Sequence, residues 1–67
     1  MSVKVMFSAS GYGSKTESYR TREKAVKAIE EDAAEVAAEH FGEAECYGDE
    51  WVAQTKGGEE IARWEIL

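Results

Sequence analysis

The residues able to do chemistry in this chain are few, and the sharpest of them lie in its second half. His40 and Cys46, with Glu39, Glu43 and Asp49 nearby, are of metal-ligand types. A structural zinc site, however, takes four ligands, usually with at least two cysteines at close spacing. Cys46 with His40, or Ser8 and Ser10 with that same histidine, pair a nucleophile with a base, yet nucleophilic catalysis also needs an orienting third group and a pocket. Gly13-Ser14-Lys15-Thr16 invites a phosphate-loop reading, but that motif places Gly directly before the Lys and another Gly five residues earlier, where Ser14 and Ala9 stand. A hairpin loop accounts for the same residues. Paired carboxylates such as Glu31 and Glu35 fall on a solvated helix face rather than in the desolvated setting that general acid–base work requires. His40 then reads as a structural histidine beside an apolar stripe, and Cys46 as a small buried strand residue. No enzyme, metal or cofactor is expected.

Charge distribution is the feature that rises above this background. Between residues 28 and 55 there is no Lys or Arg, while Glu30, Glu31, Asp32, Glu35, Glu39, Glu43, Glu45, Asp49 and Glu50 supply nine carboxylates. Lys15, Arg20, Arg22, Lys24 and Lys27 cluster just before that block. If the segment is helical, cations stand at its start and anions toward its end, the reverse of what the helix dipole favours by roughly 0.3–1 kcal/mol per well-placed charge. Stability therefore does not explain the pattern. The five acids from Glu30 to Glu39 cover nine residue steps, which at about 1.5 Å each is roughly one charge per 3 Å. Duplex DNA carries about one per 1.7 Å. Glu30, Glu31, Asp32, Glu35, Glu39, Glu43, Asp49 and Glu50 are accordingly the candidate partner-binding residues, aimed at a basic protein surface. A solvated face that keeps the chain soluble is the plain alternative.

The element that must position these acids is a helix over residues 21–41, whose Val26, Ile29, Ala33, Val36 and Ala37 recur at steps of three and four and so share one face. Thr21 is its N-cap, and Gly42 is expected to close it in the left-handed conformation. Before it, residues 2–9 alternate, with Val3, Val5 and Phe7 on one side and Lys4, Met6 and Ser8 on the other, the period of a half-buried strand. Residues 10–14 are turn chemistry and 15–20 return as a second strand with Tyr19 inward. After it, residues 43–47, 50–56 and 59–66 read as three further strands, the last two joined by a tight turn at Gly57-Gly58. Trp51 and Ala53 share one face, as do Ala62, Trp64 and Ile66. With one helix and no second crossover, the fold class is α+β: an antiparallel sheet of four or five strands, covered on one face by one amphipathic helix, in the order ββαβββ.

Sixty-seven residues make a single domain, burying about 60% of its unfolded surface with a stability of about 3–5 kcal/mol. The 33% charged content and net charge of −6 describe a self-repelling surface, and the sequence pI of about 4.7 argues against direct nucleic-acid binding, which needs clustered Lys and Arg. One cysteine allows no internal disulfide. Residues 1–10 lack a basic leader with an apolar core, and no run approaches the roughly 18 apolar residues of a membrane span, so the cytoplasm is the expected location and no membrane is expected.

From residue 51 the chain runs Trp51-Val52-Ala53-Gln54-Thr55-Lys56-Gly57-Gly58, followed by Arg63-Trp64. With two strands, one helix and Gly-turned strands along its whole length, the layout resembles the small anti-CRISPR proteins that phages carry. The resemblance implies a non-enzymatic inhibitor that occupies a surface on a host defence complex, with a CRISPR effector subunit as partner and the host cytoplasm as setting. It carries no family binding residues onto this chain. Tyr12, Tyr47, Trp51 and Trp64 are candidate interface anchors, although a core this small has use for both tryptophans. A second class of function is a structural or regulatory module that self-associates through its sheet, for which Met6 and Val52, on strand faces away from the helix, are the motive. Monomer and homodimer both stay open.

Overall fold

The alternating apolar residues at the start of the chain build the strand from which the sheet grows. In the computed structural model, which describes residues 2–11 and 13–67, β1 spans Val3–Ala9, β2 Gly13–Tyr19, α1 Arg22–Glu39, β3 Glu43–Cys46, β4 Glu50–Gln54 and β5 Glu60–Ile66. All five strands join one antiparallel sheet in the order β2-β1-β5-β4-β3, with α1 on one face. Strand β2 begins two residues before its expected start, and the whole of it pairs with β1 from Val3↔Tyr19 to Ala9↔Gly13. Tyr12 lies outside the described residues.

The sheet order explains the length of the helix. Strand β2 is one edge and β3 the other, so α1 must carry the chain across the whole sheet. Five strands at about 4.8 Å spacing are roughly 19 Å wide, whereas 18 helical residues are about 27 Å long. The helix therefore crosses diagonally. Register places one cross-strand row on the helix side of the sheet: Lys15, Phe7, Trp64, Trp51 and Cys46. Val5, Trp51, Ala53, Ala62 and Trp64 from the sheet meet Ala25, Ile29 and Ala33 from α1 to form the core. Four of these eight are alanines, which lets the helix backbone come close to the strands. Both tryptophans are buried, so neither is an exposed anchor.

Three local expectations are corrected. Thr21 does cap the helix, its Oγ accepting from the Lys24 N–H at 3.2 Å, but the far end closes differently. The left-handed residue is Phe41, at φ 53°, with Gly42 outside that region. The Gly42 N–H donates to Ala37 O at 2.8 Å and the Phe41 N–H to Ala38 O at 3.3 Å, the double bond pattern of a Schellman motif with Phe where Gly is usual. Gly42 is small for another reason: a Cβ there would lie 2.0 Å from the Gln54 carbonyl oxygen. Second, the β4–β5 turn is longer than a two-residue loop. The Thr55 N–H donates to Glu59 O and the Gly58 N–H to Thr55 O, and only Gly58 takes positive φ. That is a three-residue loop ending in a left-handed glycine, preceded by an irregular register at Ala53/Gln54. Third, Cys46 is exposed on the edge strand, its Sγ donating to Gly48 O at 3.5 Å.

On the open face, register sets Val52 between Glu45 and Arg63 and Met6 between Thr16 and Glu65. Val52 is nevertheless buried. Its neighbour Arg63 is held by Glu60 at 2.7 Å and Glu50 at 3.6 Å, and its aliphatic stem gives apolar cover while the head stays paired. Met6 is half-buried.

Candidate functional site

Diagonal packing of α1 over β5, β4 and β3 leaves the β1–β2 corner of the same face uncovered. The result is a groove of about 710 Å³ between the helix and β2, floored by Val5, Phe7, Ala9 and Trp64. The Phe7 and Trp64 rings lie 5.2 Å apart at 50°, a tilted aromatic pair. One rim is β2, whose Lys15, Glu17 and Tyr19 alternate onto the groove side; the other is α1, through Asp32, Val36, Glu39 and the helix-capping His40.

The β2 rim is a hydrogen-bonded set. Lys15 Nζ sits 3.2 Å from Glu17 Oε1 and 5.7 Å from the centre of the Phe7 ring. The Tyr19 hydroxyl donates to Glu17 Oε2 at 2.8 Å. Tyr19 first, then Lys15, hold the Glu17 carboxyl below its ordinary range. Burial first, then the bond to Glu17, pushes Tyr19 up from 10.0 to about 12. A raised folded-state value means that Tyr19 stabilises the fold while protonated; this contribution is complete below about pH 10 and is lost as pH rises through about 12. Tyr19→Phe is expected to flatten the fall in stability over that window, read by far-UV circular dichroism in urea at stepped alkaline pH. A fall as steep as the parent's would contradict the assignment.

The acidic residues do not act as one block. Glu30, Glu31, Asp32, Glu35 and Glu39 are exposed on α1, and among the described residues none enters an ion pair. At about 100° per residue they fan around the helix: Asp32 and Glu39 edge the groove, Glu35 and Glu31 follow outward, and Glu30 is on the opposite flank. Glu43 is exposed on β3. Asp49 pairs with Arg22 in the first turn of α1, which offsets a cation that the dipole would otherwise oppose. Glu50 pairs with Arg63. Glu45 accepts the Tyr47 hydroxyl and thereby pushes the Tyr47 ionisation up. Tyr47 is exposed.

The groove also draws in carboxylates outside the 28–55 segment, namely Glu17, Glu59 and Glu60. His40 and Ser10 line it but Cys46 and Ser8 do not, so of the nucleophiles considered from sequence only Ser10 shares the groove with the histidine, and among the described residues no hydrogen bond joins the two. Among the described residues no three His, Cys, Asp or Glu side chains converge to hold a metal ion, and no helix is long and apolar enough to cross a membrane. No family model, curated protein or solved structure matches the chain.

Proposed function

We propose that this chain is a non-enzymatic binding protein that inhibits a protein partner by occupying its basic, nucleic-acid-binding surface with the acidic face of α1. A phage anti-CRISPR protein acting on a CRISPR effector subunit in the host cytoplasm is the specific form of this reading that the layout suggests. The observation that carries it is the set of five exposed helix carboxylates that, among the described residues, enter no ion pair. Asp49 and Glu50, each satisfied by an arginine, drop to a supporting role. Unpaired like charges on one helix lower stability slightly and raise the rate and selectivity of capture by an oppositely charged surface.

The combined Glu31→Lys, Glu35→Lys and Glu39→Lys variant tests it. Each change shifts the charge by two, taking the formal net charge from −6 to zero. At about 1 kcal/mol or more per reversed contact, capture of the partner weakens on the order of 100-fold, while the fold is kept, because all three side chains are exposed. Pull-down from a bacterial lysate at stepped salt reads the capture, and far-UV circular dichroism the fold. Unchanged capture by the triple variant would sink the mechanism.

A further inference from the structure

We propose that the groove between α1 and β2 receives a cationic amphipathic helix of a protein partner, its apolar side chains seated on the half-buried Phe7, Ala9 and Ile61 and its Lys or Arg side chains on the groove-edge carboxylates. The inference rests on the acidic-face reading for the sign of the partner's charge, and adds where and by what segment that partner engages.

Charge complementarity chooses the occupant. Glu17, Asp32, Glu39, Glu59 and Glu60 line the groove against a single lysine, Lys15. That lysine is committed to Glu17 and the Phe7 ring, and Glu60 is committed to Arg63. Asp32, Glu39 and Glu59 remain for a cation from outside, since among the described residues none of them enters an ion pair. Lys15 itself shows what the site accepts: an ammonium on a flexible apolar stem, seated between an aromatic face and a carboxylate.

Spacing favours a helix over an isolated small cation. Asp32 and Glu39 are seven residues apart on one side of α1, hence about 10.5 Å along its axis. Cations seven apart on a partner helix match that step, and the residues three and four along between them turn to the same side, over the aromatic floor. A volume of about 710 Å³ is within the range of roughly 300–1,000 Å³ that binding sites occupy, enough for several side chains at once. The net charge of −6 sets a second copy of this chain against itself and leaves a foreign basic segment as the fitting partner.

The test is a titration of the isotope-labelled chain followed by amide and indole chemical shifts. Three probes are compared: a helical Leu/Lys peptide with lysines seven apart and leucines between, a Ser/Lys peptide of identical charge, and benzyltrimethylammonium. The Leu/Lys peptide is expected to saturate, to move Phe7, Ala9, Lys15, Tyr19 and the Trp64 indole, and to bind at least about tenfold tighter than the Ser/Lys peptide through leucine burial. Lys15→Gln, at an exposed edge position, is expected to tighten Leu/Lys binding severalfold by vacating Glu17 and the Phe7 ring, an outcome that a purely structural lysine would not produce. Val36→Lys, on the helix rim, is expected to abolish it. Equal affinity of the two peptides with shifts confined to Glu31 and Glu35 would overturn the groove while leaving the acidic face intact. Benzyltrimethylammonium filling the groove without displacement by the Leu/Lys peptide, or no shifts with either peptide, would also overturn it; partner capture by a Glu31→Lys, Glu35→Lys variant, which leaves the groove-lining Asp32, Glu39 and Glu59 in place, judges the acidic face separately.

Discussion

Gly42→Ala is expected to unfold the domain. Gly42 has no positive φ to lose, so the effect is one of contact and not of backbone strain. An added Cβ would stand 2.0 Å from the Gln54 carbonyl oxygen, 2.9 Å from its carbonyl carbon and 3.1 Å from Thr55 Cα. All three are backbone atoms, and no side chain can swing aside. Relief means moving the end of β4 away from the helix terminus, or moving Gly42 itself, which would stretch the 2.8 Å bond from the Gly42 N–H to Ala37 O. Overpacking of this kind costs about 1–3 kcal/mol where side chains can yield and more where they cannot, against a total of about 3–5 kcal/mol for a domain this size. Urea titration followed by far-UV circular dichroism is expected to show little or no native baseline. A midpoint within error of the parent would refute the close approach. Phe41→Gly is the control with the opposite sign: it removes a left-handed, exposed phenylalanine and is expected to stabilise by about 0.5–1 kcal/mol.

Trp64→Ala is expected to cost nearly as much. Trp64 sits on β5, paired across to Phe7 on one side and Trp51 on the other, and is only 3% exposed. Deleting such a side chain costs about 3–5 kcal/mol through lost burial and the cavity left behind, again close to the whole stability of the fold. Trp64→Phe keeps an aromatic partner for Phe7 and is expected to cost less than half as much. Comparable urea midpoints for Trp64→Ala and Trp64→Phe would show that the row of aromatic residues is not what holds β5 between β1 and β4.

Much of this architecture was legible in the chain because it depends on neighbours in sequence. The alternation of Val3, Val5 and Phe7, the helical spacing of Ile29, Ala33 and Ala37, and the Thr21 cap all report local geometry, and the ββαβββ order follows from them. Ala25, fully buried, escaped notice because alanine carries little hydrophobic signal. Gly42 marked the end of the helix correctly and for the wrong cause, since a close approach to β4 is a tertiary fact. Gly57-Gly58 suggested the shortest turn, but the hydrogen bonds of Thr55 close a longer one.

The candidate site was legible only in part. Counting carboxylates along residues 30–50 treats charge as a linear property. Folding then pairs Asp49 with Arg22 and Glu50 with Arg63, leaves the helix acids free, and adds Glu17, Glu59 and Glu60 from distant segments. The insertion of β5 beside β1, which puts Trp64 next to Phe7 and floors the groove, is not a local signal at all. The period-two placement of Lys15, Glu17 and Tyr19 on one side of β2 is the one pattern that pointed there.

On the function proposed, the acidic face of α1 competes with nucleic acid for a basic protein surface. The most direct measurement is capture of bacterial lysate proteins on the immobilised chain, eluted with duplex DNA at constant ionic strength. The expected eluate holds nucleic-acid-binding proteins that DNA releases and that the triple lysine variant fails to retain. Captured proteins that resist DNA, or that the variant holds equally well, would contradict it.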